Sequence, residues 1–212
     1  MSLPDNQLST TPAISSFIGG KSFPVTGQLD YEYGPIALQE ASRGINYQLW
    51  TSRLENGIVY IKAPTVPEYA FLTLPDVTEM SFSFDHNANI TFVYVQAGSV
   101  FMYWFDSSVG GYVTTPYGSD IVSPRLTHDD KRTLQSSVSD VIFAYVHIDT
   151  RDGLGEPLTA SLRYRQQRER YGVERIIATN VTDGLVKIGM MRNLRVGFQL
   201  KQQSGAVIVN TP

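Results

Sequence analysis

Apolar and polar positions alternate in short runs along most of this chain, with a period of two rather than 3.6, which predicts strands. The clearest stretch is residues 77–115, VTEMSFSFDHNANITFVYVQAGSVFMYWFDSSVGGYVTT. There, aromatic and β-branched segments at 80–84, 90–95, 100–105 and 112–115 are separated by Asp-His-Asn-Ala-Asn, Gln-Ala-Gly and Ser-Ser-Val-Gly-Gly. Short strands divided by turn residues in this way predict a β-meander. Upstream, residues 47–51 and 58–62 flank a segment ending in Asn56-Gly57, a hairpin signal because both residues tolerate positive φ. Residues 69–74 sit among Pro64, Pro67 and Pro75 and read as a loop or an edge strand. Residues 116–138 read as a long polar connection, and 141–148, VIFAYVHI, as the strongest strand of the chain. Further strands are expected at 161–165, 173–178, 185–189, 194–200 and 206–209. The one helical fragment, 36–41, is too short to stand without packing.

Residues 1–30 show neither period, and Pro4, Pro12 and Pro24 break any ladder they might join. They read as an extended arm whose Phe17, Ile18 and Phe23 dock on a neighbouring subunit, ahead of a β-repeat domain at 31–212.

Pieces of the pattern recur. Val77-Thr78-Glu79 and Val181-Thr182-Asp183 open two similar hairpins, which superpose Phe92 on Val196 and Tyr94 on Phe198. Phe143 and Tyr145 fall midway, giving a period of about 50 residues, in the range of multi-strand repeats. Trp50, Trp104 and Tyr164 each precede a glycine of a second set of hairpins. Inner pairs at 80–95, 125–148 and 185–200 then alternate with outer hairpins at 45–62, 99–115 and 161–178. They balance only if the last inner pair joins the first outer hairpin, which would remove open sheet edges. The expectation is an all-β antiparallel meander in three approximate repeats, closed like a propeller, trefoil or prism, with a β-sandwich as the alternative.

Composition narrows the function classes. Charged residues make up 17% and apolar residues 42%, so uncharged polar residues cover much of the surface, as in β-rich proteins partly buried in an assembly. A formal charge of −3 argues against a general nucleic-acid or anionic-membrane surface. Without cysteine there is no disulfide framework, thiolate metal site or cysteine nucleophile. No secretory signal and no membrane span is expected.

Candidate chemistry is sparse. His128-Asp129-Asp130 is where a histidine and carboxylates adjoin, but neighbouring residues point in different directions, and a polar connection is the better reading. His86 and His147 stand alone, and no phosphate loop or nucleophile elbow is present. The stripe Phe101, Tyr103, Phe105 and its partners Phe82, Phe84, Phe92 and Tyr94 alternate as strand faces do and read as core, with a sugar-stacking platform as the other possibility. A basic cluster holds Arg163, Arg165, Arg168, Arg170 and Arg175, but Glu169 and Glu174 lie within it. It therefore reads as charge pairing across a hairpin or as an interface face, with Arg163 and Arg165 opposite Leu162 and Tyr164. No enzyme, metal or cofactor is expected.

The strings YEYGPIAL (31–38), YVQAG with YWFD (94–106), PRLTHDDKR (124–132), SDVIFAY (139–145), LRYRQQRERYGVE (162–174) and VGFQL (196–200) resemble a family of small tail-associated virion proteins of tailed, short-tailed bacteriophages. The resemblance spans residues 31–200 and implies a structural tail component: an adaptor, collar or fibre-attachment protein, assembled in the host cytoplasm and retained in the virion. It implies as partners copies of itself and other tail proteins. A receptor- or glycan-binding head domain that touches host surface glycan, and a glycan-cleaving tailspike-type domain, are the alternatives.

Overall fold

A computed structural model describes residues 17–22, 30–35, 47–63, 65–85, 87, 89–129, 140–181, 185–191, 196–202 and 205–210, with side chains at 50–63, 65–85, 87, 89–127, 141–181 and 198. The described chain is all-β and antiparallel, apart from one 3-10 turn. Its strands form four four-stranded sheets. The first sheet comprises β2 (Asp30–Pro35), β3 (Tyr47–Glu55), β4 (Ile58–Ala63) and β5 (Val66–Thr73); the second, β6 (Val77–Phe84), β7 (Ile90–Gln96), β8 (Ser99–Asp106) and β9 (Gly111–Gly118). The third comprises β10 (Ile121–Asp129), β11 (Asp140–Arg151), β12 (Pro157–Gln166) and β13 (Arg175–Thr179). The fourth joins β1 (Phe17–Ser22) to β14 (Leu185–Met191), β15 (Val196–Gln202) and β16 (Gly205–Asn210).

Local chemistry explains the hairpins. Asn56 and Gly57 have φ of 50° and 73°, and Ala97 and Gly98 have 48° and 76°, the paired left-handed conformations whose twist suits a two-residue turn between antiparallel strands. β5 is an edge strand, which lets Pro67 sit in it without removing a ladder hydrogen bond from a central position.

The sheets pack face on face. Trp50, Val59 and Ile61 of the first sheet meet Phe82, Phe84, Phe92 and Tyr94 of the second. On the opposite face of the second sheet, Val93, Val100, Met102 and Trp104 meet Leu126, Val141, Phe143 and Tyr145 of the third. Ile142, Ala144, Val146, Leu162 and Tyr164 then turn the other face of the third sheet towards Phe198 of β15. β11 is thus covered on both sides, which explains why residues 141–146 are all buried and why the strand reads as one apolar run without alternation. The leading strands run beside one another: β2 by β6, β6 by β10, β10 by β14, and β1 by β2.

Several expectations are corrected. The first outer hairpin is the middle of its own sheet, bordered by β2 and β5, and the last inner pair is bordered by β1 and β16. The two do not pair, because β1 occupies the edge of β14 and β2 the edge of β3. Trp50 lies on the second strand of its sheet and Trp104 on the third, so those hairpins are one strand out of step. Tyr94, Tyr145 and Phe198 are all buried but lie in three separate inter-sheet clusters, not one shared layer. Residues 121–129 of the supposed connection are a strand, and residues 17–22 of the arm pair within the chain. The helical fragment at 36–41 lies outside the described residues.

Candidate functional site

The polar chemistry of the described residues concentrates where β12 turns into β13. Alternation along β12 places Leu162 and Tyr164 against the fourth sheet and leaves Arg163 and Arg165 on the side of the second. The strand ends in a 3-10 turn, Gln167–Glu169, after which Arg170 and Tyr171 both take positive φ, 52° and 56°, and swing the chain back. The return is fixed by the backbone: Arg170 N–H donates to Gln167 O (2.7 Å), Tyr171 N–H to Gln166 O (2.9 Å) and Gly172 N–H to Glu169 O (2.9 Å).

Glu174 is the hub of the resulting network. It accepts from the Tyr145 hydroxyl, from Arg163 Nη1 (2.5 Å) and from Arg165 Nη2 (3.0 Å). Arg165 also donates Nε to the Tyr145 oxygen (2.8 Å) and Nη1 to Tyr171 O (2.9 Å), and its guanidinium lies over the Tyr117 ring. Arg163 donates Nε to Ser161 Oγ (2.8 Å) and pairs with Asp149, whose Oδ1 also takes the Ser161 hydroxyl (3.0 Å) and lies 3.1 Å from His147 Nδ1. Arg168 donates to Gln166 Oε1, and Arg175 grips Glu169 with two nitrogens.

The same turn is anchored to the second sheet. Asp106, at the end of β8, accepts Arg170 Nη2 at 2.5 Å as well as the Ser108 amide (2.9 Å) and hydroxyl (2.8 Å). Asp85, after β6, accepts the amides of Asn87 (2.9 Å) and Asn89 (2.8 Å), Asn89 Nδ2 (3.0 Å) and Gln167 Nε2 (3.1 Å). Between these two polar ties Tyr171 is fully buried, edge-on to Trp104 at 5.1 Å.

The electrostatics follow from this geometry. Burial alone would raise Glu174, but Tyr145, Arg163 and Arg165 together hold its carboxyl below the ordinary range. Asp149 and Asp106 are likewise pushed up by burial and brought below their usual values by Ser161, His147 and Arg163 in the first case and by Ser108 and Arg170 in the second. Arg175 and Arg53 lower Glu169 and Glu68. Burial, with Glu174 beside it, raises Tyr145 far above an ordinary phenol, and burial takes Tyr117 to about 12. A general acid at neutral pH needs a carboxyl held protonated by its surroundings. Glu174, Asp149, Asp106 and Glu169 are shifted the opposite way, to stay ionised as acceptors. What the arrangement can do is clamp: it fixes the β12–β13 turn and locks the third sheet to the second.

Arg163 and Arg165, on β12, pair with Glu174 across the β12–β13 hairpin, whereas Arg170 in the turn pairs with Asp106 of the second sheet and Arg168 donates to Gln166. Phe17 and Ile18 are placed elsewhere, in β1 opposite Met191 and Met190, and Phe23 lies outside the described residues. His128 and Asp129 stand in β10 opposite Val141 and Asp140, while Asp130 and His86 lie outside the described residues. Sequence reasoning missed Asp85, Asp106, Tyr145 and Tyr171 as polar partners. The Asp-x-Asn and Asp-x-Ser spacings at 85–87 and 106–108 carried a signal, since such an aspartate accepts the amide two residues on. Of the aromatic stripe, Phe82, Phe84, Phe92 and Tyr94 are buried, whereas Phe101, Tyr103 and Phe105 are only half-buried.

Comparison with known proteins finds no matching family model, no similar curated protein and no similar solved structure.

Proposed function

We propose that this chain is a structural part of a tailed-bacteriophage virion: an adaptor, collar or fibre-attachment protein without a catalytic centre of its own, working through assembly with copies of itself and with other tail proteins. The phage assignment rests on the motif strings across residues 31–200. The scaffold role rests on how the charge is used, with Glu174, Asp149 and Asp106 each held ionised by arginines that tie strands and sheets together. On this reading the four sheets are the blades of a small closed array resembling a propeller, with β1 completing the last blade beside β2. Fastening the first described strand into the last sheet suits a part that must hold its shape inside a larger particle.

Two measurements test this. Mass determination of the purified chain in solution should give a closed homo-oligomer, and a cryo-EM map of the intact virion should place it in the tail. A monomer that is missing from purified particles would overturn the proposal.

A further inference from the structure

We propose that the outer edge of β16 pairs with the same strand of a second copy, antiparallel about a two-fold axis, so that two fourth sheets run on as one. The inference rests on the reading above that the chain assembles with copies of itself, and it names the edge at which two copies meet.

Each of the four sheets ends in an outer strand: β5, β9, β13 and β16. Such a strand offers a row of backbone N–H and C=O groups to any extended segment that arrives. Proteins block that row with prolines, with charges, or with an extra residue that breaks its spacing. Three of the four strands are blocked in these ways. β5 carries Pro67 and Glu68, and because Val59 lies opposite Leu72 and Tyr60 opposite Ala70, Phe71 is an extra residue in it. β9 carries Pro116, and Tyr117 is extra between the partners of Phe101 and Val100. β13 opens on Arg175, and Ile177 is extra between the partners of Arg163 and Leu162.

β16 has none of these features. Its six residues, GAVIVN, include no proline and no charge. They pair with β15 without a shift, from Gly205 opposite Gln202 to Asn210 opposite Gly197. No described strand lies on its other side. The groups presented there are main-chain donors and acceptors at regular spacing, and these select an extended strand as the occupant, not a small ligand or a helix.

The strand is its own complement. Backbone groups turn to alternate sides along a strand, and two residues directly opposite must turn theirs the same way relative to the interface. A two-fold axis therefore falls on a residue and not between two. Placed at Ile208, it sets Ile208 opposite Ile208, Val207 opposite Val209 and Ala206 opposite Asn210 of the second copy. β-branched residues then meet β-branched residues and no charge meets a like charge. Gly205, a weak strand residue, falls outside this overlap, whereas an axis at Val207 would bring it in. A strand from another protein would have to be matched to this sequence, while a second copy brings the match with it. The contact is isologous and closes at two copies.

The test uses the full chain. Register sets Val209 opposite the buried Phe198, so Ile208 belongs to the other face of the sheet and is the position to charge. Sedimentation of the parent should give an even number of copies. Ile208→Lys should weaken the association about tenfold or more and halve the mass, with the far-ultraviolet circular dichroism of the strands retained. The chain has no cysteine of its own. Ile208→Cys should therefore cross-link into a dimer under mild oxidation, because directly opposed strand residues lie within disulfide reach, and Leu154→Cys, 91% exposed on another hairpin, should not. An oligomer that keeps its mass with Ile208→Lys, or that leaves Ile208→Cys no more cross-linked than Leu154→Cys, would overturn the β16 interface while leaving self-assembly standing. A parent that sediments as a monomer would overturn it too, whether or not the chain is found in particles.

Discussion

Arg170 reaches from the turn after β12 to Asp106 at the end of β8, Nη2 to Oδ2 at 2.5 Å, and so links the third sheet to the second across a buried tyrosine. Its backbone takes φ of 52° to make that reach. The guanidinium itself is 61% exposed, whereas the carboxylate it meets is 5% exposed.

The anchoring should therefore depend more on the ring than on the ion pair. Tyr171→Ala removes a fully buried side chain from beneath Trp104 and should destabilise the chain by about 3–5 kcal/mol in chemical denaturation. Arg170→Ala removes a largely exposed guanidinium and leaves Asp106 its two Ser108 donors, so it should shift the midpoint less. Equal losses in the two variants would show that the turn is held by charge and not by packing.

Acid should loosen the Glu174 network. The folded-state pKa of Glu174 is below its ordinary value, so between the two values the unfolded chain binds more protons, and stability rises with pH there. The contribution is complete above the ordinary glutamate range, about pH 4–5, and is lost as pH falls through the depressed folded value. Glu174→Gln should flatten this part of the thermal midpoint against pH curve. An unchanged slope would remove Glu174 as the hub.

Two hairpin glycines separate backbone strain from contact. Gly57 and Gly98 have nearly the same φ, 73° and 76°, but a Cβ at Gly57 would lie 3.2 Å from Pro75 Cα, and one at Gly98 would meet nothing within 4 Å. Gly98→Ala should cost about 1 kcal/mol from the left-handed backbone alone, and Gly57→Ala more, about 2 kcal/mol. Thermal denaturation of the two variants should rank them in that order.

Removing residues 1–22 deletes β1 and uncovers the ladder of β14. Hydrogen exchange should then be faster at β14 amides that face β1, with strands of the second sheet unaffected. Unchanged protection in β14 would mean that β1 contributes nothing to the fourth sheet, and that the segment is available to a neighbouring subunit after all.

The sequence by itself determined the strands from β3 to β8, the apolar run of β11, their tight turns and much of what they bury, but not β1, β2 or β10. Asn56-Gly57 and Gln-Ala-Gly marked tight turns because positive φ is a local property of the residues that occupy it. Arg163 and Arg165 fell opposite Leu162 and Tyr164 because period two is fixed by the pleat. Tertiary structure decided the rest. That β1 pairs with β14, some 170 residues away, leaves no local trace, since edge pairing uses backbone groups that every residue carries. Self-similar hairpins could be grouped by threes or by fours, and the choice fell to β2, β5 and β16 filling the edges. Asp106 met Arg170 because sheets stacked face on face bring together side chains whose separation in the chain carries no period, and Tyr145 met Glu174 because β12 brings the two within one sheet.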